Sequence, residues 1–146
     1  LGWMNWDKNE QDLELLNYVK LLIKIRKKYM YLINSSHVSS EELINYQWHG
    51  INTNSPDWSS WSHTLAFSLN KSTNNEPLIW IALNAYSKDI KFSPPKPSKN
   101  WLKIIDTFKS SQLKPEIIND KLVEVKSRST VMLIANQLLG SNNQID

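Results

Sequence analysis

The sequence predicts an α+β protein: one long N-terminal helix followed by an all-antiparallel β-sandwich. Two observations carry this reading. Residues 8–33 repeat apolar side chains at helical spacing, and from residue 43 the period falls to two, over seven short segments with turn-rich joins. A third is length, since 146 residues make about one domain, able to bury roughly 68–70% of its unfolded surface.

The elements follow in order. Residues 1–7 form an aromatic, irregular lead-in, with Asp7 placed to cap a helix. A helix over 8–33 would be about 39 Å long. Leu15, Leu16, Val19, Leu22, Ile23 and Tyr29 belong to an apolar arc that spans about 220° at 100° per residue. Lys20, Lys24, Lys27 and Lys28 fill the remaining face. A surface helix needs an apolar stripe of only about 100°, so this one calls for partners on two sides. Arg26 falls inside the apolar arc, where a buried guanidinium must be paired or must reach carbonyls.

Seven strands are expected, at 44–48, 63–69, 77–84, 90–92, 101–106, 122–125 and 130–135. Leu65, Phe67 and Leu69 alternate with Thr64, Ala66 and Ser68, as in a half-exposed strand. The run 78–83 is apolar on both faces and should be central. Pro94, Pro95 and Pro97 mark an extended loop, because proline cannot donate to a ladder.

Composition excludes several functions. The charge of +3 comes from 15 Lys and only 2 Arg, a poor signature for reading bases or phosphates, so no nucleic-acid partner is expected. There is no Cys, hence no disulfide scaffold and no thiolate chemistry. No apolar run approaches the roughly 18 residues of a membrane span, and no membrane partner is expected. His37, His49 and His63 are assigned to loops without metal-ligand spacing, and the three glycines build no phosphate-cradling loop. Neither a metal nor a cofactor is expected. The opening Leu1-Gly2-Trp3 has no basic n-region, which reads as no signal peptide and as a piece of something longer.

The most informative stretch is 48–69. Trp48-His49-Gly50 precedes Pro56-Asp57-Trp58-Ser59 and Trp61, and then His63 and Leu65-Ala66-Phe67-Ser68-Leu69. This pattern resembles the C-terminal region of isoamylase-type α-1,6-glucan debranching enzymes of the α-amylase superfamily. The order of Gly2-Trp3-Met4-Asn5-Trp6-Asp7, Trp80–Tyr86, Ile105-Asp106-Thr107 and Ser127-Arg128-Ser129 extends the resemblance over nearly the whole chain. It implies that residues 1–36 are the last turn and helix of a (β/α)8 barrel missing from this chain, and 37–146 the C-terminal β domain. The two-sided helix would then lie between barrel and sandwich, with Arg26 pinning the junction.

The resemblance implies no catalytic residues here. Retaining glycoside hydrolysis needs two carboxylates about 5–5.5 Å apart. The family's nucleophile lies in G-x-R-x-D, yet Arg26 leads to Lys28 and Arg128 to Thr130, and no His precedes an Asp. Asp106 reads as the cap of the following turn. This chain alone is therefore expected to be inactive. Candidate glucan contacts are Trp3, Asn5, Trp6 and Asp7, by a barrel's C-terminal face, against the alternative of a wedge packing the barrel rim, and Trp58 and Trp61, against the alternative that Trp48, Trp58 and Trp61 staple a loop to the core. The expected partners are the missing barrel, an α-glucan and, as in some relatives, a further subunit. The bacterial cytoplasm is the expected compartment, with the plastid as the other. A free-standing carbohydrate-binding sandwich and a subunit-interaction module remain open as alternatives.

Overall fold

A computed structural model describes residues 10–33, 44–109 and 114–136. The helix α1 runs over Glu10–Ile33, and Glu10 and Asp12 in its first turn suit the positive end of the helix dipole. The expected cap at Asp7 and the domain boundary at 36/37 lie outside the described residues.

Eight strands follow: β1 Ile44–His49, β2 Thr64–Lys71, β3 Pro77–Asn84, β4 Ile90–Phe92, β5 Trp101–Asp106, β6 Glu116–Ile118, β7 Val123–Val125 and β8 Ser129–Ala135. Strands β1-β2-β3-β8-β5-β6 form one sheet and β4-β7 a second, with every pairing antiparallel. The apolar β3 is internal, as its two-faced pattern requires. Strand β6 is a correction to the sequence reading. Its three residues show no alternation, and it is held by pairing with β5 and by the Lys103–Glu116 ion pair at 2.9 Å.

Because β-strand side chains alternate, the register sorts the large sheet into two faces. On one face Ala66, Ala82 and Val131 lie side by side, next to Trp80 and Leu133. The β4-β7 ribbon closes this face with Phe92, Val123 and Val125, and Phe92 meets Trp80 edge-on at 6.1 Å. This is the sandwich core. On the other face Leu69, Ile79 and Ile134 meet Ile25 and Tyr29 of α1. The fold is thus helix, six-stranded sheet, two-stranded ribbon.

Strand β2 departs from its expected half-exposure. Ala66, Ser68 and Asn70 are buried, and so is Leu69 on the opposite face. The small side chains at 66 and 68 face the ribbon, and the larger ones face the helix side. Alternation in side-chain size was mistaken for alternation in exposure.

The helix covers only part of its face. Tyr29 is buried and Ile25 half-buried, while Leu15, Val19 and Ile23 on another side of α1 are exposed. Beside the helix an apolar cleft of about 400 Å³ opens between Leu22 and Arg26 on α1 and Tyr46, Phe67, Ile81 and Met132 on the sheet. Arg26 is exposed at this cleft, so the burial that would demand a partner for it is not present within the described residues.

Asn84 locks ribbon to sheet. Its buried amide nitrogen donates to the carbonyls of Lys88, Val125 and Lys126 at 2.9–3.0 Å, and its Oδ1 accepts the Tyr86 N–H at 3.0 Å. Removing the amide leaves several backbone groups without partners, and each buried unsatisfied group costs about 1–3 kcal/mol. Asn84→Ala should therefore lower unfolding stability by about 2–4 kcal/mol, measured by urea denaturation; a loss under about 0.5 kcal/mol would show that the lock contributes little.

Candidate functional site

The loop between β1 and β2 is held from both ends. At the last position of β1, His49 is buried, and its Nε2 meets the Ser68 hydroxyl of β2 at 2.9 Å while its Nδ1 accepts the Asn54 N–H at 2.9 Å. The accepted amide proton fixes the tautomer with hydrogen on Nε2, which donates to Ser68. This corrects the placement of His49 in a loop: it ends a strand and staples the loop to the inner core. Of the other histidines, His63 is exposed and stacks on Tyr86, with ring centres 5.9 Å apart, and His37 lies outside the described residues.

Further ties fix the loop's course. A Cβ at Gly50 would collide with the Ser55 carbonyl oxygen, so only glycine permits the close approach there. Asn54 takes a left-handed φ of 59°, which Asn tolerates well. The Thr53 hydroxyl donates to the Ser93 carbonyl at 2.6 Å, and the Ser93 N–H to the Ile51 carbonyl at 2.8 Å, linking the loop to the segment after β4.

The aromatics ride on a second turn. Asp57 Oδ1 accepts from the Ser59 hydroxyl at 2.7 Å and from the Ser59 N–H at 3.0 Å. These two bonds, the hydroxyl's first, hold its carboxyl below the usual carboxylate range. The Ser62 N–H closes on the Ser59 carbonyl at 3.0 Å. The turn presents Trp58 at 65% exposure and Trp61 at 77%. Trp58 stands edge-on to Trp48 at 5.5 Å, and Trp48 in turn leans on Phe67 of the apolar sheet face. The staple alternative thus describes Trp48, whereas Trp58 and Trp61 face water. The structure brings Trp58 and Trp61 onto one loop. Trp3, Asn5, Trp6 and Asp7 lie outside the described residues.

Two clusters were tested as catalytic carboxylate pairs. Lys103 bridges Asp106 at 3.5 Å and Glu116 at 2.9 Å, and Lys126 bridges Asp89 at 2.8 Å and Glu124 at 2.7 Å. In each, one lysine ammonium engages both carboxylates. Asp106 also accepts the Phe108 N–H at 3.1 Å, the turn-capping role expected for it. Among the described residues no group of three or more His, Cys, Asp or Glu side chains is placed to hold a metal. No described helix is long and apolar enough to cross a membrane. The sequence reading missed the converging lysines, because strand pairing brings together residues that the sequence keeps apart.

Burial pushes the His49 pKa below its ordinary value. The unfolded chain therefore binds this proton more readily, and the contribution of a neutral His49 is complete above about pH 6.5. It is lost as pH falls from there toward the folded-state value. Thermal unfolding should show Tm dropping as pH falls below about 6.5, with a flatter profile in His49→Gln. An equal slope in the variant would remove His49 as the cause.

With that geometry in place, the comparisons are direct. The C-terminal domain family of isoamylases 1–3 matches residues 47–144. The chain is 28% identical over 143 residues to the chloroplastic isoamylase 1 of Oryza sativa subsp. japonica, covering 97% of this chain and 17% of that protein. It is 31% identical over 113 residues to the chloroplastic isoamylase SU1 of Zea mays and 30% identical over 113 residues to the chloroplastic isoamylase 1 of Arabidopsis thaliana. Each of those alignments covers 76% of this chain and 14% of the relative. The chain thus spans 14–17% of the length of these relatives. The chain, whose tryptophan loop between β1 and β2 falls within the matched residues, belongs to the isoamylase C-terminal domain family.

Proposed function

We propose that this chain is the C-terminal part of an isoamylase-type hydrolase that cleaves α-1,6 branch points of glycogen- or starch-like glucan. Its own role is structural: α1 and the sheet face beside it dock a (β/α)8 catalytic barrel, which supplies the two catalytic carboxylates. The observation that carries this reading is the exposed apolar stripe of Leu15, Val19 and Ile23, beside an apolar cleft, in a member of this family. Solvent-facing stripes of this kind mark interaction surfaces. Arg26, exposed beside that stripe, would then meet its partner across the junction. No cofactor is needed for a double displacement between two carboxylates. The chloroplastic names of the plant relatives favour the plastid over the bacterial cytoplasm.

The mass of the native gene product tests this. An antibody to this segment should detect a polypeptide several times heavier than 17.0 kDa that coincides with debranching activity. A product at 17.0 kDa would overturn the reading and leave a free-standing sandwich. In the longer polypeptide, the double variant Val19→Asp, Ile23→Asp should abolish debranching by leaving unpaired charges in an apolar junction, at a cost of at least about 3 kcal/mol. Full activity in that variant would sink the docking role of the stripe.

A further inference from the structure

Two kinds of surface stand open on this molecule, and their chemistry differs. The cleft beside α1 is aliphatic, lined by residues such as Leu22, Ile81 and Met132. The loop over 52–62 carries no aliphatic side chain; apart from Pro56, its apolar groups are two indoles. A protein partner also draws on tryptophan, but buries it in a packed, water-excluding interface core. A sugar ring asks for something else: a flat aromatic face for its C–H groups, and hydrogen-bonding groups around the rim. Trp58 and Trp61 stand among Asp57, Ser59, Ser60 and Ser62, which meets that description. The loop is also preorganised. His49, Gly50, the Asp57–Ser59 bonds and the Ser62–Ser59 turn fix its backbone, so binding would carry little ordering cost.

We propose that the 57–62 turn is a stacking platform for α-glucan chains, with Trp61 as the principal face and Trp58, propped by Trp48, beside it. That the sugar is an α-glucan rests on the function proposed above; that the ligand is a sugar rests on the loop itself.

The test uses the full 146-residue chain, electrophoresed through native gels with and without glycogen, together with titration of tryptophan fluorescence by maltoheptaose. Wild type should be retarded by glycogen. Trp61→Ala should weaken maltoheptaose binding about fivefold, equivalent to about 1 kcal/mol. Trp61→Phe should recover part of the loss, and circular dichroism should show both variants folded. Unchanged retardation of a folded Trp61→Ala would overturn the platform, as would a wild type that migrates alike with and without glycogen. If Trp61→Ala instead dissociates a dimer in sedimentation and leaves glucan binding unchanged, the loop is a protein contact and the proposal fails. Trp61-dependent binding that prefers cellohexaose to maltoheptaose would overturn the α-glucan class. Debranching by the longer gene product is read separately. If that activity is present and Trp61→Ala changes nothing, the platform alone has failed. If that activity is missing, it is the function that has failed.

Discussion

The structure depends on a single constraint: its six-stranded sheet is apolar on both faces. Such a sheet must be covered twice, because every large apolar side chain left in water forgoes about 1.5–3 kcal/mol of burial. The chain meets the demand unequally. On the inner face the β4-β7 ribbon brings Phe92, Val123 and Val125 onto Trp80 and Leu133, and these five are buried. On the outer face a single helix covers Leu69, Ile79 and Ile134, but Phe67, Ile81 and Met132 remain half-buried around an open cleft. The same helix keeps Leu15, Val19 and Ile23 in water. Among the described residues one face is therefore closed and the other stays open, on the helix side.

The inner core also determines where the loop residues sit. Ser68 lies on the closed face of β2, and its hydroxyl is buried where water cannot reach it. His49 satisfies that hydroxyl with one ring nitrogen and takes the Asn54 amide with the other. Packing in the sandwich and the course of the tryptophan loop are therefore coupled through one imidazole. Asn84 acts similarly at the far end of β3, converting an amide side chain into a bolt between sheet and ribbon. Buried polar groups of this kind specify a unique arrangement, since each is costly unless fully satisfied.

Much of this was legible in the sequence, for reasons that particular residues make clear. The run from Leu78 to Leu83 declared a central strand, because only two-sided burial explains apolar side chains on both parities. The helix declared a need for two partners through the width of its apolar arc. What stayed hidden was long-range. Strand β2 was read as half-exposed because Ala66 and Ser68 are small and one is polar; their burial depends on a ribbon that arrives from residues 90–125. The three-residue β6 has no periodicity to read and exists through its pairing with β5. His49 gave one local hint, in its position between Trp48 and Gly50, but the hydroxyl that makes it a staple lies 19 residues away. The tryptophans of the loop were visible at once. Their packing was not visible: Trp48, itself partly in water, leans on Phe67 and receives the edge of Trp58, while Trp61 is the most exposed of the three.

The separation of charge from aromatics completes the picture. Among the described residues the carboxylates that converge in pairs are engaged: Asp106 and Glu116 by Lys103, Asp89 and Glu124 by Lys126. A carboxylate held by an ammonium stays ionised and is not poised to protonate a leaving group. These ion pairs tie β5 to β6 and brace the start of β4 against the end of β7, so their work is in joining strands. Asp57 is different in kind: its Oδ1 orders a turn, and the turn holds two indoles in water. Acidic groups here shape the backbone and join strands, the cleft beside the helix is aliphatic, and the aromatic loop offers flat faces with a polar rim.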